Sequence, residues 1–135
     1  MNLVGRFRSN YFAVADRPTF EEWCQRNGLS LIVSERDPEL VGFVNSDNES
    51  GIPSTVVEER DGEEENVAID FIGELGTFLL DNHVAIVIEI FHEGYRYLGG
   101  TAYAINNKGE QKRIDLDEIF THAKDLGKKI EKCEY

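Results

Sequence analysis

The sequence predicts an α+β fold, a mainly antiparallel sheet of about five to six strands with about three helices packed mostly on one face. Three features predict it. An apolar helical face formed by Phe20, Trp23 and Cys24 ends at Gly28. A long strand-like pair covers residues 84–92 and 95–106. A last helical segment begins near Asp115. No repeat or linker divides the chain, so residues 1–135 are read as one domain, long enough to bury a core.

The elements follow in order. Tyr11–Val14 reads as a short strand. Thr19-Phe20-Glu21-Glu22 reads as a capping box, the Thr19 hydroxyl capping the helix and Glu22 reaching back. Residues 29–33 and 41–44 are strands, separated by an Asp37-Pro38 turn. Residues 45–54, rich in Ser, Asn and Asp, form a loop. Thr55-Val56-Val57 is expected as an edge strand before an acidic run, which is expected to be flexible. Ile69, Ile72, Leu75 and Leu79 recur at helical spacing, predicting a helix over 67–80. Gly73 and Gly76 weaken that helix, and a close approach to a strand would explain them.

In the long hairpin, a turn at Glu93-Gly94 sets His92 opposite Tyr95 and Ile90 opposite Tyr97. One face then carries Val84, Ile86, Ile88, Ile90, Tyr97 and Tyr103 and is the expected core. The other carries Ala85, Val87, Glu89, Phe91, Arg96 and Leu98, with Glu89 and Arg96 as a diagonal pair. Gly99-Gly100 marks a bulge or tight crossing. Asn106–Gly109 turns the chain into a strand over 112–114. Asp115 caps the last helix, Glu118 completes the box, and Ile119, Phe120, Ala123 and Leu126 form its apolar face.

Charge is the functional lead. The net charge is -12 and the pI about 4.6. Residues 31–90 hold 15 acidic and two basic side chains, densest from Glu58 to Glu65. Such a surface repels nucleic-acid phosphates and anionic membranes and attracts basic partners. No apolar run is long enough to span a membrane, and Met1–Arg8 lacks the apolar core of a signal peptide. Two cysteines, Cys24 and Cys133, make no disulfide framework. A reduced, cytoplasmic protein is expected.

Recognised chemistry is sparse. His83 and His92 flank one strand; at about 3.3 Å per residue they stand about 30 Å apart, too far to share a metal. His122 falls on the last helix. No phosphate-cradling glycine loop is present, because Gly94, Gly99 and Gly100 lie in a hairpin. Asp47-Asn48-Glu49-Ser50-Gly51 has calcium-ligand residue types but lacks the EF-hand pattern. Catalytic residues, a metal site and cofactors are therefore all read as none. Tyr95-Arg96-Tyr97, beside Phe91 and His92, has the residue types of an interface hot spot.

The opening Ser9-Asn10-Tyr11-Phe12-Ala13-Val14-Ala15-Asp16 and the following helix with Phe20 and Trp23 resemble a group of small uncharacterised acidic proteins of phages and plasmids. So do the closing Tyr95-Arg96-Tyr97-Leu98-Gly99-Gly100 hairpin and Asp115–Ile119. The resemblance covers the two ends and not the acidic middle. It implies no catalytic residues. Its setting implies a mobile-element accessory role, such as an anti-CRISPR or anti-restriction protein.

The expected function is an acidic inhibitor that occupies the basic surface of a nucleic-acid-binding host defence protein, as a nucleic-acid mimic. Its binding residues are Glu58, Glu59, Asp61, Glu63, Glu64, Glu65, Asp70 and Glu74, with Tyr95 and Arg96. The partner is a basic protein, with no direct nucleic acid and no membrane, and the chain is a monomer or homodimer. The alternatives are an immunity protein for a basic nuclease toxin, a small enzyme with an unrecognised site built from scattered residues, which a deep pocket lined by His92, Tyr95 or His122 would favour, and a structural or regulatory module acidic for solubility alone.

Overall fold

A computed structural model of the chain describes residues 4–45, 51–93 and 96–130, apart from the side chains of residues 56, 96 and 97. The described residues form eight strands and three helices, in the order β1 (Val4–Ser9), α1 (Arg17–Arg26), β2 (Leu29–Val33), β3 (Val41–Asn45), β4 (Thr55–Arg60), β5 (Glu63–Ala68), α2 (Phe71–Gly76), β6 (Ala85–Glu93), β7 (Arg96–Ile105), β8 (Gln111–Asp115) and α3 (Glu118–His122). A six-stranded sheet runs in the order β2-β3-β1-β6-β7-β8, and β4 and β5 form a separate two-stranded sheet. Every pairing is antiparallel, so the α+β class stands.

One face of the large sheet carries the core. Phe7 of β1, Phe43 of β3, Val87 of β6 and Ile105 of β7 meet Phe20, Trp23 and Cys24 of α1 and Phe71, Ile72 and Leu75 of α2. Aromatic rings dominate it. Trp23 lies 4.8 Å from Phe71 between ring centroids, and Phe12 packs edge-to-face on Phe20 at 5.7 Å. The Trp23 indole N–H, which burial would otherwise leave unsatisfied, donates to Glu74 Oε1 at 3.0 Å.

Several local expectations are corrected. The first strand lies at Val4–Ser9, and Phe12 and Val14 make only isolated bridges to Val41 and Leu79. The α1 cap sits upstream of Thr19: Asp16 accepts from the Thr19 amide and hydroxyl, and Pro18 fills the first turn, where no N–H is needed. The helix predicted over 67–80 is shortened, because Val67 and Ala68 belong to β5 and Asp70 caps α2 through the Gly73 amide. Gly76 does mark a close approach: a Cβ there would meet Asn106 O and Ile105 Cγ1 of the β7 end, each at 2.7 Å. Gly73 instead makes room for the Asp70 cap.

The core face of β6 is also corrected. Ala85, Val87 and Glu89 point inward, and Ile86, Ile88 and Ile90 point outward, 40%, 45% and 38% exposed. Both alternating sets of β6 are largely apolar, so periodicity could not choose between them. Aromatic side chains from α1, α2, β1 and β3 fill the inner layer and leave β6 room for small residues. The register differs too. Ile90 pairs with Gly100, His92 with Tyr97 and Glu93 with Arg96, with a shift between Phe91 and His92 that leaves Leu98 as the extra residue. The bulge thus adjoins Gly99, near where the glycine pair placed it. Tyr103 faces Val87 and packs against the core. Glu89 stands opposite Thr101, so the expected Glu89–Arg96 diagonal pair is not formed.

The last helix is short and continues as a 3-10 turn over Ala123–Asp125. Glu118 does reach back to the Asp115 amide, at 3.2 Å, but the Asp115 carboxylate bonds Thr101 and Arg113 and Asp117 occupies the cap position. Its expected apolar face is only half covered: Phe120 and Ala123 are half-buried, but Ile119 is 61% and Leu126 92% exposed.

Candidate functional site

The acidic run is a β-hairpin. Asp61 and Gly62 form its two-residue turn, both with positive φ (52° and 80°), the geometry of a type I′ turn. The expectation of a flexible run is therefore corrected. Thr55-Val56-Val57 does start a strand, but that strand continues through the glutamates to Arg60. Asp-Gly between two strands is a strong hairpin signal, and the surrounding glutamates, poor strand formers, hid it.

Register sets the electrostatics. Glu58 stands opposite Glu65, Glu59 opposite Glu64 and Arg60 opposite Glu63. Two of these three outer pairs set like charge against like, which costs cross-strand stability. Arg60 partly offsets this, lying 3.6 Å from Glu58 on its own strand, and both side chains are well exposed. Residues 57–66 are all exposed, so both faces of the tip present carboxylates to solvent.

The base of the hairpin is fixed to the sheet. Ile52, just before β4, donates its backbone N–H to the buried Glu89 Oε2 at 2.6 Å. Gly51 passes so close that a Cβ there would meet Phe91 Cζ at 2.7 Å and Glu89 Oε2 at 2.8 Å, and its φ of +84° also favours glycine. At the other end, the Ile69 amide bonds Ser54 O before α2 begins. Glu89 was not singled out as a site residue. Its signal was a lone carboxylate in an apolar strand.

The remaining expected binding residues divide. Asp70 is committed to the α2 cap. Glu74 turns back onto α1, accepting from Trp23 and lying 3.9 Å from Arg26. Neither belongs to the hairpin surface. Tyr95 lies outside the described residues, and Arg96 is placed only by its backbone, opposite Glu93. Arg96 and the carboxylate cluster therefore sit on strands of different sheets.

No family model matches this chain, and neither a curated protein nor a solved structure matches it significantly.

Other chemistry is limited. Among the described residues, no group of three or more His, Cys, Asp or Glu side chains is placed to hold a metal. The suggested calcium loop, Asp47 to Ser50, lies outside them, as does Cys133. His83 is structural, its Nδ1 accepting from the Ala13 amide at 3.2 Å. Cys24 is a free, buried thiol whose pKa is pushed up to about 12 by burial and secondarily by Glu21, which leaves it protonated and poorly nucleophilic. His92 borders a groove of about 630 Å³ on the outward face of the sheet, with Arg6, Arg8, Ile88 and Ile90. Among the described residues, no helix is long and apolar enough to cross a membrane.

Proposed function

We propose that this chain is a protein-binding module that uses the β4–β5 hairpin to occupy the basic, nucleic-acid-binding surface of another protein. The observation that supports this reading is the hairpin register: Glu58 faces Glu65, and Glu59 faces Glu64, on a ribbon separate from the main sheet. Opposed carboxylates destabilise a free ribbon and become favourable when a cationic surface settles on them. Two rows of carboxylates on a narrow support also carry the sign of charge of the phosphates that such a surface normally binds. The binding residues are Glu58, Glu59, Asp61, Glu63, Glu64 and Glu65. Asp70 and Glu74 serve the fold. The resemblance of the chain ends to small phage and plasmid proteins supports a defence protein, of the CRISPR or restriction type, as the target.

The test is affinity capture from lysate of a host carrying such systems, at low and then high salt. The wild-type chain is compared with the triple variant Glu63→Gln, Glu64→Gln, Glu65→Gln. The expected result is a basic protein released by salt, lost with the triple variant, and unable to bind its nucleic acid while complexed. Equal capture by the triple variant, or a complex that still binds nucleic acid, contradicts the reading.

A further inference from the structure

Among the described residues, the large sheet is covered on one face and open on the other. An antiparallel sheet with a solvated face ordinarily turns polar residues outward. Here β6 turns out Ile86, Ile88 and Ile90, continued by Ala102 and Ala104 on β7 and by Ile114, 54% exposed, on β8. An apolar patch of this extent marks an interaction surface.

Its charge is opposite to that of the whole chain. The outward positions of the six strands carry Arg6, Arg8 and Lys112 and no carboxylate, although the net charge is -12. Glu89 and Asp115, on the same strands, fall on the inward alternation. The cations flank the apolar rows. Arg8, Ile88, Ala102 and Ile114 form one row across β1, β6, β7 and β8, and Lys112 lies beside its β8 end. Adjacent strands stand about 4.8 Å apart, so β1 and β8 are about 14 Å apart, enough to take between their cations one α-helix of about 10–12 Å diameter.

We propose that this open face docks an acidic amphipathic helix of a partner protein. Its apolar stripe lies on Ile86, Ile88 and Ile90, and carboxylates on its two flanks meet Arg6 and Arg8 on one side and Lys112 on the other. A second copy of the chain packed face to face would set cations against cations across the two-fold axis. Single-stranded nucleic acid would find, among the described residues, no Phe, Tyr or Trp in the rows of Ile86, Ile88 and Ile90 on which to stack bases; Tyr97, opposite His92, lies beyond them towards the hairpin end. This surface is distinct from the acidic hairpin and does not depend on the reading given above.

The probe is a pair of helical peptides with leucines at i, i+3, i+4 and i+7, one flanked by glutamates and one by lysines. Each is titrated into the isotope-labelled full chain and followed by amide chemical shifts. The glutamate peptide is expected to shift amides at residues 86–90, 102–104 and 114, and to bind about tenfold more weakly to Arg8→Glu. Ile88→Asp, at a half-exposed position, is expected to abolish those shifts while the rest of the spectrum is retained. Equal binding of the lysine peptide, shifts elsewhere, no shifts at millimolar peptide, or unchanged binding to Arg8→Glu overturns the proposal. So does concentration-dependent dimerisation that shifts these same amides, or their shift by oligo-dT.

Discussion

Glu59 of β4 stands directly across the ladder from Glu64 of β5. With the neighbouring Glu58–Glu65 pair, this sets like charges directly opposite each other across the ladder, where they weaken the ribbon that holds them. A feature that costs stability and sits on an exposed arm is best understood through what the arm binds.

The first prediction follows from that cost. Glu64→Gln removes one opposed pair and is expected to stabilise the hairpin by about 0.2–1 kcal/mol, while weakening capture of the basic partner. Amide hydrogen exchange of residues 56–67 reads the first effect and a binding titration the second. Faster exchange in the variant contradicts the account.

Glu74 behaves in the opposite way. It satisfies the Trp23 indole N–H and turns away from the hairpin. Glu74→Ala is expected to destabilise the fold by about 1–3 kcal/mol, because a buried donor loses its acceptor. Denaturant unfolding followed by Trp23 fluorescence reads this. Partner affinity, measured where the variant is folded, is expected to be unchanged, and a loss comparable to that of Glu64→Gln would return Glu74 to the binding surface.

Glu89 ties the hairpin base to β6 through the Ile52 amide. Glu89→Ala leaves that amide without its acceptor and is expected to cost about 1–3 kcal/mol, with faster exchange at Ile52 than at the β1–β6 ladder. Glu89→Gln retains an acceptor oxygen and is expected to preserve most of the protection.

Much of this fold was legible in the sequence, and the exceptions share a physical cause. Helix α1, strands β2 and β3 and the Asn106–Gly109 turn follow from apolar periodicity and turn residues, and the structure places them there. The inner face of β6 was not legible, because Ala85, Val87 and Glu89 look less core-like than the isoleucines between them. Only packing against the aromatic layer decides it. The acidic hairpin was hidden by strand propensity, since five flanking glutamates obscured an Asp-Gly turn. The roles of Asp70 and Glu74 depended on tertiary partners that composition does not show.

Cys24 offers an independent check on the core. Its thiol, raised from 9.0 to about 12 mainly by burial, favours the folded state fully below pH 9, and that contribution is lost as pH rises towards 12. In a Cys133→Ser background, thiol reagents at neutral pH are expected to react with Cys24 only when the chain unfolds. Rapid labelling of the native protein would show that α1 does not seal the core.

The most direct measurement for the central claim is the salt dependence of partner affinity. The captured basic protein is titrated with the wild-type chain and with the Glu63→Gln, Glu64→Gln, Glu65→Gln variant across a series of ionic strengths. Steering and binding by the hairpin carboxylates predict a steep loss of wild-type affinity with salt, and a weaker, flatter dependence for the variant. Two curves of equal slope and equal low-salt affinity would show that the hairpin is not the binding surface.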